Sequence, residues 1–166
     1  MPNKHTFKIP SISKFLSKIV YPIGDKIILD PFANRKHGFA THYNDINPNN
    51  YGSNLDALDF LKQFESCSVD GVLFDPPYSL RQLKECYEGI GKALTGHDTN
   101  HFFTEIKNEI QRVVKPNGFV VSFGWNSVGI GKGKGFEIQE IILVSHGGIK
   151  NDTICTYEIN KQMRLI

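Results

Sequence analysis

The short apolar run Gly71-Val72-Leu73-Phe74 gives way to Asp75-Pro76-Pro77-Tyr78, and this junction constrains the fold more than any other stretch. The run is too short for a helix and reads as a buried strand. Two successive prolines cannot extend it, because each lacks the N–H that a sheet ladder needs. The chain must therefore leave the sheet at Asp75. That exit brings a carboxylate, a proline carbonyl and an aromatic ring to the carboxyl edge of a sheet, where open α/β sheets bind ligands. The set suits an exocyclic amine on a flat heterocycle. Asp75 and the Pro76 carbonyl can each accept one N–H, while Tyr78 stacks on the ring.

The rest of the chain supplies the sheet. Ile12, Phe15, Leu16 and Ile19 recur at helical spacing behind Pro10 and Ser11, which suit a helix start. Residues 26–29 read as a strand ending at Asp30, and residues 40–44 as a second ending at Asp45. A helix follows around Leu55, Leu58 and Leu61, with Ser53 or Asn54 as its cap. After the Gly71 strand, the spacing predicts helices over 80–94 and 102–114, separated by a polar loop over 95–101. Residues 118–123 read as strand. Two further strands, 138–145 and 153–158, flank the Gly-rich turn 146–152 and pair as an antiparallel hairpin. Alternating strands and helices imply an α/β fold, a mostly parallel sheet covered on both faces, with that hairpin added at the C-terminal end.

Composition narrows the function classes. The 166 residues suit one domain spanning 1–166 with a single core. A formal net charge of +2 excludes a polybasic arm, so any nucleic-acid contact must come from local patches. Cys67, Cys86 and Cys155 fit neither a zinc spacing nor a disulfide framework, which points to a reducing cytoplasm. No run approaches membrane-spanning length, and Met1 to His5 lead into no secretory core. His97 and His101 stand four apart, but without a third ligand, and no metal site is assigned.

With these motifs in order, the chain resembles the S-adenosylmethionine (SAM)-dependent amino-methyltransferases of DNA, whose signature is D/N/S-P-P-Y/F/W. The Asp form resembles the adenine-N6 branch. The resemblance implies a Rossmann-like methyltransferase fold, SAM as cofactor, and Asp75, Pro76, Pro77 and Tyr78 as the catalytic motif. It also implies DNA, or alternatively RNA, as partner, in a minimal enzyme of mobile-element, phage or restriction-modification type.

On the cofactor side, the first strand of the family ends in D/E-x-F-x-G-x-G, and this chain reads Asp30-Pro31-Phe32-Ala33-Asn34-Arg35-Lys36. Asp30 then matches the position that binds the cofactor's ammonium group, with Phe32 and Ala33 beside it. Asn34 and Lys36 replace glycines. Asn tolerates the left-handed region and Lys does so poorly, so a turn at Gly38 is the alternative path. Asp45 and Ile46 match the second motif, in which an acid accepts the ribose hydroxyls. Asp56-Ala57 is similar to the motif that reads the cofactor's adenine, or Asp56 is simply an acid at a helix start. Phe7-Lys8-Ile9-Pro10-Ser11 resembles the N-terminal cofactor segment, with Pro10 near the methionine moiety. Asp75 borders the cofactor as well as the substrate.

On the substrate side, a base must leave its duplex to reach such a motif, and Tyr78 receives it by stacking. Trp125 and Asn126 leave the sheet at the same edge and are candidate pocket walls, although a lone Trp also suits a core. Lys132 and Lys134 sit in the Gly-rich stretch 129–135, read either as a backbone clamp or as a mobile solvated loop. Arg81, Lys84 and Lys92 read as a phosphate-facing or a solvated helix face. No segment is long enough for a separate target-recognition domain. A homodimer or a recognition partner, an RNA substrate such as the guanine-N2 targets of related D-P-P-F/Y enzymes, and a non-catalytic partner subunit are the alternatives.

Overall fold

The computed structural model describes residues 5–94, 96–146 and 151–162. Its elements run α1 (Pro10–Val20), β1 (Ile28–Asp30), β2 (His42–Tyr43), α2 (Ala57–Lys62), β3 (Val69–Phe74), α3 (Leu80–Glu88), α4 (Gly96–Val113), β4 (Val114–Gly124), β5 (Phe136–Val144) and β6 (Thr153–Asn160). All six strands form one sheet in the order β2-β1-β3-β4-β6-β5. The first four are parallel, and β6 runs antiparallel to both of its neighbours.

Alternation along each strand divides the core in two. Ile28, Leu73, Phe119, Val121 and Phe123 point to one face, where Ile12, Phe15, Leu16 and Val20 of α1 cover them. Leu29, Val72, Phe74 and Val120 point to the other, against Phe60 and Leu61 of α2 and Ile106, Ile110 and Val113 of α4. Period two in the strands and 3.6 in the helices produce this sorting. Gly71 marks the closest approach within the sheet, since a Cβ there would lie 2.2 Å from the Phe119 ring.

The predicted α/β class and the antiparallel hairpin are as expected, with several corrections in detail. The helix expected over 80–94 stops at Glu88, where Gly89 and the left-handed Gly91 (φ 75°) follow. Of the polar stretch expected as a loop over 95–101, residues 96–101 are helical, because α4 begins at Gly96; residue 95 lies outside the described residues. Polarity there marks an extra helical turn lacking an apolar stripe, which periodicity alone cannot detect. Neither Ser53 nor Asn54 caps α2. Asp56 does, accepting a hydrogen bond from Leu58 N at 2.9 Å. The hairpin turn residues 147–150, like the N-terminal residues 1–4 and the side chain of His97, lie outside the described residues. Among the described residues no helix is long and apolar enough to cross a membrane.

Candidate active site

Parallel strands β1 and β3 both end at the same edge, so the residues that leave them converge. Asp75 is buried there at 3% exposure. The Tyr78 hydroxyl donates to Asp75 Oδ1 at 2.6 Å. Burial, reinforced by the nearby Asp30 charge, pushes the Asp75 carboxyl up to about 7, while the bond from Tyr78 pulls it down. The same burial, together with the Asp75 charge, drives the Tyr78 phenol upward, so it stays a donor. Tyr78 was expected to act through its ring; its hydroxyl also tethers Asp75. Ser79 caps α3 by accepting from Gln82 N, and the Gln82 side chain accepts from Tyr78 N at 2.7 Å. The motif is thereby pinned to the helix that follows it.

Two cavities meet at this motif. The larger, about 400 Å³, is walled by the loop after β1 (Pro31 to His37), by Asp45 and Ile46 after β2, by Ala57, and by Leu83, Tyr87 and Phe102. Phe7 and Asp75 also line it. The smaller, about 190 Å³, is lined by Pro76, Tyr78, Ser122, Trp125, Asn126 and Lys107 among others. Pro77 lines both. Trp125 packs edge-to-face on Tyr78 at 5.7 Å between ring centroids and is 43% exposed, so it is a wall rather than core. Asn126 accepts from Val128 N at 3.1 Å and shapes its own turn.

The loop after β1 follows the alternative path. Asn34 takes the left-handed conformation (φ 53°), as does Gly38 (φ 83°), whereas Lys36 avoids it. Asp45 holds the loop in place: its Oδ2 accepts from Asn34 N at 3.1 Å and its Oδ1 from Asn47 N at 2.8 Å. Each oxygen keeps a lone pair for a ligand. Lys36 swings out over the Tyr51 ring, 5.8 Å from its centroid.

Asp30 is placed differently from the expectation. It is fully buried beneath the cavity, with Oδ1 accepting from Phe32 N at 3.0 Å and Oδ2 paired with His37 Nε2 at 2.8 Å. His37 Nδ1 accepts from Phe39 N at 3.2 Å, which makes Nε2 the protonated nitrogen that donates to Asp30. Burial raises the Asp30 carboxyl, against the lowering influence of His37. The imidazole stacks on Phe7 at 4.0 Å between centroids and itself lines the cavity. Asp30 thus does not line the cavity itself, while its two partners Phe32 and His37 do. Sequence reasoning passed over His37. The one available signal was a His seven residues after the strand-end acid, which is not specific.

Asp56 caps α2 and accepts from the Tyr87 hydroxyl; Ala57, not Asp56, reaches the cavity. Pro10 opens α1 outside the cavity, and the preceding Phe7 and Lys8 line it instead. Lys132 and Lys134 line neither cavity. They form a single 3₁₀ turn, and Lys134 bonds to Asn108. Hydrogen bonds from other elements hold that stretch. The buried Glu158 carboxylate accepts from Ile130 N at 2.8 Å and from Gly131 N at 3.0 Å, and Lys107 donates to the Gly129 carbonyl. Arg81 pairs with Glu85 on an exposed helix face. Among the described residues no cluster of three or more His, Cys, Asp or Glu could hold a metal ion.

Comparison with known proteins fits this architecture. No family model matches the chain. A curated relative, the provisionally named methylase YubD of Escherichia coli (strain K12), is 34% identical over 74 residues, or 44% of this chain. The match spans 31% of that relative's own length. Among solved structures, TrmN from Thermus thermophilus superposes with a TM-score of 0.58 at 16% identity, covering 91% of this chain and 48% of that one. The provisionally named methylase HI0767 of Haemophilus influenzae gives 0.55 at 15% identity, covering 92% and 98%. The provisionally named methyltransferase yhhF of Escherichia coli gives 0.53 at 13%, covering 92% and 87%. The chain therefore has the Rossmann-like fold of methyltransferases.

Proposed function

We propose that the protein transfers a methyl group from S-adenosylmethionine to the exocyclic N6 of adenine in DNA. The observation that carries this reading is the shared wall: Asp75 and Pro77 border the larger cavity, while Pro76, Pro77 and Tyr78 border the smaller. A donor in one and an acceptor in the other would face each other across the motif. The short curated match to a protein named as a methylase points the same way.

The residues present fit SAM. Asp45 offers carboxylate oxygens to ribose hydroxyls, and Ala57, Leu83 and Phe102 supply apolar walls for a flat base. The cavity falls within the usual volume range of small-molecule sites, roughly 300–1,000 Å³. When bound, SAM supplies an electrophilic methyl group. The chain's own work is positioning. Asp75 Oδ and the Pro76 carbonyl accept the amine protons, which turns the nitrogen lone pair toward the donor cavity. Tyr78 and Trp125 hold the ring by aromatic contact. Asp75 need not be a strong base, because the amine proton becomes acidic only as the new bond forms. Replacement of the usual glycines has not closed the cofactor cavity, which weighs against a non-catalytic partner subunit.

The test is incubation of purified protein with methyl-labelled SAM and unmethylated DNA, with RNA in parallel, followed by nucleoside mass spectrometry. N6-methyladenine in DNA is the expected product, and Asp75→Ala abolishes it while leaving SAM affinity within a few-fold. Label in RNA alone moves the acceptor to RNA. No transfer, together with no SAM binding by calorimetry, overturns the reading.

A further inference from the structure

We infer that Lys107 binds a phosphodiester of the acceptor DNA strand, next to the base held in the smaller cavity. The site then takes a base within a polyanion rather than a free base. This rests on the base-methylating function proposed above and names how its acceptor is gripped.

Lys107 sits on α4 one turn after Phe103, and both line the smaller cavity together with Pro76, Tyr78 and Trp125. It is half-buried, and among the described residues that line this cavity it is the one with a formal charge. A lysine ammonium has three donors. One goes to the Gly129 carbonyl, and Gly129 is itself part of the cavity wall. Lys107 joins no ion pair among the described residues. Glu158, the acid whose charge reaches Lys107, is fully buried and accepts instead from Ile130 N and Gly131 N. Gly129 permits this arrangement. A Cβ there would lie 2.2 Å from the Glu158 carboxylate, so only glycine lets the chain pass this close over the acid and offer its carbonyl to Lys107.

Lys134 adds a second cation. It bonds to Asn108, the next residue of α4, and its charge acts against that of Lys107. Like charges held near each other, with burial weighing against one of them, are relieved by an anion beside them.

The identity of that anion follows from the cavity. At about 190 Å³ it is smaller than common small-molecule sites, roughly 300–1,000 Å³, so it suits one flat base and leaves the sugar and phosphates at its opening. A base whose amine is held by Asp75 and the Pro76 carbonyl brings its phosphate oxygens to that opening. An ammonium on a flexible four-carbon stem is a compact point charge that suits them, and the contact positions the strand without reading its sequence.

The test measures DNA affinity against salt for wild type, Lys107→Gln and Lys107→Arg. The control is Lys14→Gln, an exposed lysine on α1, which covers the opposite face of the sheet. One phosphate contact contributes about 0.9 to the slope of log affinity on log salt in duplex DNA, which is about eightfold in affinity at about 0.1 M salt. Lys107→Gln should lose that slope and that affinity, Lys107→Arg should keep both, and Lys14→Gln should match wild type. SAM affinity should be equal in all of them. When the phosphates flanking the target are made neutral in turn as methylphosphonates, one replacement should lower wild-type kcat/KM by about eightfold and cost Lys107→Gln nothing further. An unchanged slope in Lys107→Gln overturns the assignment, as does an equal drop in slope from Lys14→Gln, which marks a general charge effect. Lower affinity at unchanged slope also overturns it, because Lys107 would then serve the base or the 129–135 stretch. So does a wild type indifferent to both methylphosphonates, a result that needs no variant to fold. Failure of the proposed function reads out separately: wild type that methylates no base in DNA overturns that function, and this assignment with it.

Discussion

Asp75→Asn should change how stability responds to pH, in a direction opposite to that of an ordinary paired carboxylate. Burial, reinforced by Asp30, raises the Asp75 carboxyl from 3.8 to about 7. The folded protein therefore holds this proton at pH values where the unfolded chain has released it. Stability contributed by the neutral carboxyl is present below 3.8 and is lost as pH rises through about 7. At roughly 1.4 kcal/mol per pKa unit, the whole loss is on the order of 4 kcal/mol. Between about pH 5 and pH 7 this group alone removes about 2 kcal/mol. Asn has no proton to lose, and its Oδ1 still accepts from the Tyr78 hydroxyl, so the local bond survives. Urea unfolding of both proteins at the two pH values measures the effect. The stability difference should shift in favour of the variant by about 2 kcal/mol on going to the higher pH. A difference that stays constant would refute the reasoning, since Asp75 would then titrate near its ordinary value.

Two further substitutions test neighbouring parts of the site and the sheet. Tyr78→Phe keeps the aromatic wall but deletes the bond that lowers the Asp75 carboxyl, so the pH at which that carboxyl ionises, followed by NMR titration, should move up; an unmoved midpoint would detach Tyr78 from Asp75. Gly71→Ala drives a methyl group into the Phe119 ring at 2.2 Å and should cost about 1–3 kcal/mol in urea unfolding, with SAM affinity of the folded fraction unchanged.

How much of this was legible in advance varies by element. The exit from β3 was readable because proline chemistry is local: two missing N–H groups end a strand in any tertiary context. The parallel core with its terminal hairpin was readable from periodicity, as Val72, Leu73 and Phe74 alternate between faces. Element ends were less so. The helix over 96–101 carries no apolar stripe, and α3 ends at Glu88 because of the glycines beyond it rather than any change in pattern. The cap of α2 fell to Asp56, where Ser53, Asn54 and Asp56 within four residues offered equivalent candidates.

By itself the sequence determined which residues leave the sheet at its carboxyl edge, and with which functional groups. Backbone chemistry and hydrophobic period act over a few residues and need no partner to operate. Tertiary structure alone decided how those groups are used. It inserted β6 between β4 and β5, which set the Glu158 carboxylate beneath the 129–135 stretch as acceptor for two of its backbone N–H groups. It buried Asp30 under His37 and Phe7 and made Pro77 a wall common to two cavities. Each of these depends on side chains far apart in the chain meeting at atomic distance, and whether a polar group is spent or available is settled only there.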